Sequence, residues 1–272
     1  NIVGINNNVK TLCTSSNEFS FILTLNGDIY GCGRSTYGRL GLGVTTDVLT
    51  WTKITISGIA GNVKEMSLLP YDSYLITKDN NLWVCGRNTY GNLGLGNTTQ
   101  TNTWTKVNIY CTNNRTKKIF PCFTSAKNVC RLYIIDIDDN LYACGYNGNY
   151  VLGIQYDGDV LIPTLVECPD LLGNTKSVNF NGTYDSTFFI SNDNKLYGCG
   201  NNGSGRMGMV DYSIYQNFTK VPDIDYVKEL YVNSHSSSSF HTHSIDNTVN
   251  NVKEVIATND SSYTRSIVTT DN

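Results

Sequence analysis

Ile29-Tyr30-Gly31-Cys32-Gly33, followed at once by Ser35-Thr36-Tyr37-Gly38-Arg39-Leu40-Gly41-Leu42-Gly43, is the stretch that decides the fold, because the chain writes it more than once. The apolar Cys-Gly phrase returns as Leu82-Trp83-Val84-Cys85-Gly86, Leu141-Tyr142-Ala143-Cys144-Gly145 and Leu196-Tyr197-Gly198-Cys199-Gly200, so the four cysteines lie 53, 59 and 55 residues apart. Self-similarity at this period marks a repeat architecture. Nineteen residues after each cysteine a second phrase begins: Trp51-Thr52-Lys53, Trp104-Thr105-Lys106, Pro163-Thr164-Leu165 and Phe218-Thr219-Lys220. The fixed inner gap and the variable outer one describe rigid supersecondary units joined by loops of free length.

Each unit reads as four short strands. Ahead of the Cys phrase, apolar residues alternate at Phe21 and Leu23, Tyr74 and Ile76, Tyr133 and Ile135, Phe188 and Ile190, and turn signals such as Asn26-Gly27 or Asp79-Asn80 fold them into a hairpin. A strand opening at Val9, Val63, Ile119 or Val178 precedes this hairpin, and the Trp-Thr-Lys phrase supplies the fourth. The Cys strand is apolar on both faces, as in a sheet clamped between neighbouring sheets. The expectation is an all-β chain, a β-propeller of four-stranded antiparallel blades. One domain spans 1–272: a closing strand at 1–8, full blades at 9–62, 63–118, 119–177 and 178–226, and partial blades at 227–251 and 252–272. An N-terminal strand that completes the last blade would close the ring and hide the sheet edges. The partial blades lack the Cys-Gly strand, which also fits a fragment of a longer chain.

The run Ser35 to Gly43 and its copy Asn88-Thr89-Tyr90-Gly91-Asn92-Leu93-Gly94-Leu95-Gly96 resemble the signature of the regulator-of-chromosome-condensation repeats, whose family fold is a β-propeller. Later copies decay: Asn149-Tyr150-Val151-Leu152-Gly153 has lost a glycine, and Gly203-Ser204-Gly205-Arg206-Met207-Gly208-Met209 has Met for Leu. The resemblance covers roughly residues 9 to 226. It implies either a nucleotide-exchange or chromatin role, as in the family's founding member, or a signalling or inhibitor scaffold. Relatives of the bacterial and phage branch in surface and tail-associated proteins imply a third role, recognition at a cell surface.

Composition narrows these readings. Lys plus Arg is 20 and Asp plus Glu 23, a net charge of −3, which excludes a generally basic nucleic-acid binder. Charged residues are only 16% while Asn numbers 34 and Thr 30, so polarity comes from neutral hydrogen-bonding groups rather than from a charge-driven disordered chain. No apolar run is long enough to span a bilayer, so no membrane insertion is expected. No zinc-finger spacing, phosphate loop, Gly-x-Ser-x-Gly or His-Glu-x-x-His is present, and neither a catalytic constellation nor a cofactor is expected.

Several residues invite a functional reading beside a plainer one. His235, His241 and His243 could share a metal, but no fixed carboxylate joins them and no metal site is assigned. Asp136, Asp138 and Asp139 match a calcium loop poorly. Arg115, Lys117 and Lys118 read as a solvated loop. The four repeated cysteines read as small buried apolar groups, whereas Cys13, Cys111, Cys122, Cys130 and Cys168 leave room for one local disulfide. Trp51, Trp104, Tyr37 and Tyr90 recur with the repeat and read as inter-blade packing. Tyr146, Tyr150, Tyr156, Tyr212 and Tyr215 do not recur. They stand among Asn and Asp in the segments where the signature decays, and flat rings beside fixed hydrogen-bonding groups are what a carbohydrate or peptide surface needs. These five are the candidate ligand-binding residues. The leading expectation is a non-enzymatic recognition module for a cell-surface protein or glycan, at an extracellular or virion-tail location within a larger assembly such as a tail fibre. The alternative is a cytoplasmic protein-interaction propeller of the exchange-factor or inhibitor type.

Overall fold

A computed structural model of the chain describes residues 5, 8–15, 18–109, 115–181 and 185–222, and the backbone of 252–256 and 266–269. Four antiparallel four-stranded sheets follow one another along the chain, each with its strands in sequence order. The first holds β1 (Val9–Thr14), β2 (Phe19–Thr24), β3 (Ile29–Gly33) and β4 (Val48–Lys53). The second holds β5 (Val63–Leu68), β6 (Asp72–Thr77), β7 (Leu82–Gly86) and β8 (Thr101–Lys106). The third holds β9 (Thr116–Thr124), β10 (Val129–Asp136), β11 (Leu141–Gly145) and β12 (Val160–Leu165). The fourth holds β13 (Thr175–Asn181), β14 (Ser186–Ser191), β15 (Leu196–Asn201) and β16 (Ile214–Lys220). A separate antiparallel pair joins β17 (Val252–Ile256) to β18 (Ser266–Thr269). The described residues contain short 3₁₀ turns and no α-helix. The architecture is the all-β propeller read from the repeat.

Register repeats with the sequence. Phe19, Asp72 and Ser186, which open their second strands, and Arg131 near the start of β10 stand opposite Gly33, Gly86, Gly200 and Gly145 respectively. Those glycines have φ of 104°, 113°, 94° and 106°, and a Cβ on any of them would collide with backbone of the facing strand end, so only glycine ends the Cys strand. The turn between second and third strands also recurs, with positive φ at Gly27, Asn80, Asp139 and Asn194. This is the three-residue loop with a left-handed last position. β6, β10 and β14 are buried throughout, as strands between two neighbouring sheets must be.

The repeated cysteine has a specific task. Cys85 Sγ donates to Arg39 O at 3.3 Å, Cys144 Sγ to Asn92 O at 3.9 Å and Cys199 Sγ to Val151 O at 3.3 Å. In each case the thiol of one sheet reaches the signature loop of the sheet before it. The signature loop in turn lies along the outer edge of the next sheet's fourth strand. Leu42 bridges Thr103, Gly43 N donates to Asn102 O at 2.8 Å and Gly96 N to Leu161 O at 2.9 Å. Gly41 and Gly153 face Trp104 and Phe218 with no room for a Cβ, and Gly94 faces Pro163, where a Cβ would stand only 3.0 Å from its ring. The Gly-Leu-Gly signature is thus a seam between blades.

Three expectations are corrected. Thr116–Thr124 is strand, so Lys117 and Lys118 lie in β9 rather than in a solvated loop. Arg115 and Lys117 pair with Asp138 and Asp139 at 3.1 and 2.5 Å. Cys13, Cys122, Cys130 and Cys168 are free thiols; Cys111 lies outside the described residues. The sheets of the third and fourth repeats begin at Thr116 and Thr175, slightly ahead of the Ile119 and Val178 from which the repeat was counted. The 1–4 part of the closing strand, the 227–251 partial blade and His235, His241 and His243 lie outside the described residues.

Candidate protein-binding rim

The two ends of the sheets carry different chemistry. At the end holding the turns between second and third strands, side chains are charged and paired with one another. Lys53 meets Asp28 at 2.8 Å, Lys117 meets Asp139, and Lys195 meets Asp193 at 2.7 Å. The opposite end gathers the loop between first and second strands, the residue after the Cys strand and the start of the signature loop. Backbone bonds fix that grouping in every sheet: Arg34 N to Glu18 O, Arg87 N to Tyr71 O, Tyr146 N to Cys130 O and Asn201 N to Asp185 O, at 2.9 to 3.0 Å.

On this second rim, aromatic rings and cations alternate across sheet boundaries. Tyr37 of the first sheet stands edge-on to Tyr71 of the second, centroids 5.7 Å apart, and Tyr71 stands edge-on to Phe123 of the third at 5.5 Å. Tyr90 of the second meets Tyr146 of the third at 5.7 Å. The Arg87 guanidinium lies 4.4 Å over the Tyr71 ring and 5.8 Å from Phe123, Arg39 lies 5.6 Å over Tyr71, and Lys127 lies 5.9 Å over Tyr146. The five rings are half-buried. Such pairs have a preferred geometry, so the rim is ordered before anything binds.

The cations are anchored from beneath. Arg39 donates to Thr36 O at 3.0 Å and to Pro70 O at 2.5 Å. Arg87 donates to Asn128 Oδ1 at 2.8 Å and Asn128 O at 3.1 Å. Lys127 pairs with Asp185 of the fourth sheet. Burial alone would lower the lysine, but the Asp185 carboxylate outweighs it and its pKa is raised. Below the rings, Asp72 accepts from Tyr74 Oη at 2.6 Å and Asn92 Nδ2 at 2.8 Å. Burial pushes this carboxyl from 3.8 up to about 6, against those bonds and the charge of Arg87. Arg131 and Asp185, both buried, face each other at 3.9 Å.

The five tyrosines singled out by sequence fall on different parts of the molecule. Tyr146 joins the rim. Tyr150 is half-buried with φ of 56° at the end of the 3₁₀ turn Gly148–Tyr150. Tyr156 is exposed and lines a shallow hollow of about 280 Å³ with Asp159 and Thr164. Tyr212 is exposed beside a second hollow of about 320 Å³ in the loop after β15. Tyr215 donates to Asp211 Oδ1 at 3.1 Å and packs against the Phe188 cluster. Tyr71, Phe123, Arg87 and Lys127 were missed. Their signal is that Tyr71, Phe123 and Lys127 stand at or beside the turn between first and second strands, which differs in every repeat. Among the described residues no group of His, Cys, Asp and Glu is placed to hold a metal.

No family model matches the chain. It is 29% identical over 188 residues to the Ultraviolet-B receptor UVR8 of Arabidopsis thaliana, which covers 69% of this chain and 40% of that protein. It is 36% identical over 70 residues to the secretion-regulating guanine nucleotide exchange factor of Bos taurus, covering 26% of this chain and 15% of that one. The chain thus spans less than half the length of these curated relatives. Prp20p of Saccharomyces cerevisiae, solved in a study of its binding to Gsp1p and histones, superposes with a TM-score of 0.60 at 18% identity, over 79% of this chain and 50% of that one. These similarities support the regulator-of-chromosome-condensation repeat and its propeller. They favour the protein-interaction alternative over the cell-surface reading, and they do not carry an assignment to a bacterial or phage branch.

Proposed function

We infer that this chain is a non-enzymatic propeller module that grips a folded protein through the rim of Tyr37, Tyr71, Tyr90, Phe123 and Tyr146. The carrying observation is that five half-buried rings, interleaved with cations, cross three sheets. Aromatic rings held in place by the buried Arg39 and Arg87 beneath them supply interface energy at little ordering cost. The names of the relatives, an exchange factor and a protein tested against Gsp1p, make a nucleotide-binding GTPase the first partner class to try. Tyr150, Tyr156, Tyr212 and Tyr215 are proposed as a secondary contact set.

The test immobilises the full chain beside Tyr90→Ala and Lys117→Ala variants and measures binding of purified GTPases in both nucleotide states by interferometry. Loss of binding with Tyr90→Ala and its retention with Lys117→Ala supports the rim. Equal binding by both, or saturable binding to intact cells that periodate abolishes, refutes it, the latter in favour of a surface glycan.

A further inference from the structure

The third repeat departs from the others in the loop that leads from its signature turn into β12. Val160 stands opposite Gly145 as Val48, Thr101 and Tyr215 stand opposite Gly33, Gly86 and Gly200, so the four loops align residue for residue. Tyr156 then falls where the other repeats hold Val44, Asn97 and Asp211, and Asp159 where they hold Asp47, Gln100 and Ile214. No other repeat joins a ring to an acid at these two positions, so the blade scaffold does not need the pair.

The ring is set as a platform. Tyr156 N donates to Ile154 O at 2.8 Å, and Tyr156 O accepts from Asn147 Nδ2 at 2.7 Å, which fixes the backbone that carries it. Part of the ring lies against Gly158, where a Cβ would stand 3.0 Å from it, yet the residue is 57% exposed. Beside it is the hollow of about 280 Å³, which Asp159 and Thr164 line together with the aliphatic walls of Ile154, Val160 and Leu161. The seam holds Leu161 in place through the bond from Gly96 N at 2.9 Å. The Thr164 hydroxyl is already engaged by Ile162 O at 3.0 Å. Among the described residues the Asp159 carboxylate takes a hydrogen bond from the Asn147 backbone and meets no cation, and burial raises its pKa.

Aliphatic walls with one uncompensated carboxylate and one open aromatic face offer few hydrogen bonds to a neutral polar ligand. A cation on an aliphatic stem uses all three: the stem lies along the apolar wall, and the charge meets the carboxylate and the ring face. We propose that this hollow receives an arginine or lysine side chain from a basic segment of a partner protein, its charge held by Asp159 and Tyr156. The site is distinct from the aromatic rim, to which none of its lining residues belongs, and it stands whether or not the rim binds a folded partner.

Nitrogen–proton correlation spectra of the full chain, titrated with N-acetyl-arginine amide and with its neutral isostere N-acetyl-citrulline amide, test this. Saturable shifts centred on the amides of residues 154–164 are expected with the arginine probe and none with the citrulline one. Asp159→Asn weakens the arginine probe roughly tenfold and Tyr156→Leu, at an exposed position, about threefold. Tyr90→Ala, on the rim, leaves it unchanged, so loss of rim binding and loss of this site are read separately. Spectra that superpose elsewhere show that the variants are folded. No saturable shift with arginine, equal shifts with citrulline, or an affinity unaltered in both Asp159→Asn and Tyr156→Leu overturns the proposal.

Discussion

Replacing Asp72 by Asn should alter how stability depends on pH, and the structure fixes both sign and size. The carboxyl is fully buried and accepts from Tyr74 and Asn92. Burial lifts its pKa from 3.8 to about 6. Between those values the folded chain holds a proton that the unfolded chain has released, so stability falls as pH rises through this window and stays low above it. A shift of about two units corresponds to roughly 3 kcal/mol. At pH 4 the native group is the neutral acid and the amide is nearly isosteric with it, with its oxygen placed to accept from both Tyr74 and Asn92. The variant should therefore match the wild type at pH 4 and exceed it by about 3 kcal/mol at pH 7. Asp79, Asp193 and Asp211 have lowered values, each with a hydrogen bond as its leading cause. Their stabilisation is lost as pH falls, but it cancels in the difference between the two proteins. Urea unfolding followed by tryptophan fluorescence at pH 4, 5, 6 and 7 gives that difference. A difference that stays flat, or one that favours the wild type at pH 7, refutes the claim that Asp72 is carried at a cost.

Other outcomes follow from the seam and the thiols. Gly41→Ala forces a Cβ into the Trp104 ring at φ of 66° and should cost about 2–5 kcal/mol, backbone and overpacking together. Gly43→Ala, at φ of 80° with nothing near its Cβ, should cost only about 1–2 kcal/mol; equal losses in thermal melts would show that the close approach is immaterial. Cys85, Cys144 and Cys199 are buried, and burial raises their pKa. Iodoacetamide mapped by mass spectrometry should label Cys13 and Cys32 well before them. Arg39→Met removes a bond to Thr36 O within its own loop and the bond to Pro70 O that ties the first sheet to the second and should destabilise by about 1–3 kcal/mol, read as a lower urea midpoint.

The fold was legible because the physical demands of a blade fall on residue types that few others can replace. Gly33, Gly86, Gly145 and Gly200 must close the Cys strand, the turn at Asn26-Gly27 must admit a left-handed residue, and the Cys strand must be apolar on both faces, so each demand leaves a mark at fixed spacing. The seam was legible as a pattern, but its meaning was not. Gly41 and Trp104 are 63 residues apart, and only the packing of one sheet on the next reveals that the glycine makes way for the ring. The rim was hardest to see for the same reason. Tyr37 and Tyr90 recur, which marks them as packing, and Tyr71 and Phe123 do not align with each other, yet Tyr37, Tyr71 and Phe123 form one edge-to-face row with an arginine over its middle ring. Recurrence separates scaffold from site only while every residue serves one purpose. Here Tyr37 serves both, as a seam residue toward the second sheet and as half of a surface toward solvent. A search restricted to tyrosines in the segments where the signature decays therefore finds Tyr146 and passes over the rings that lead to it.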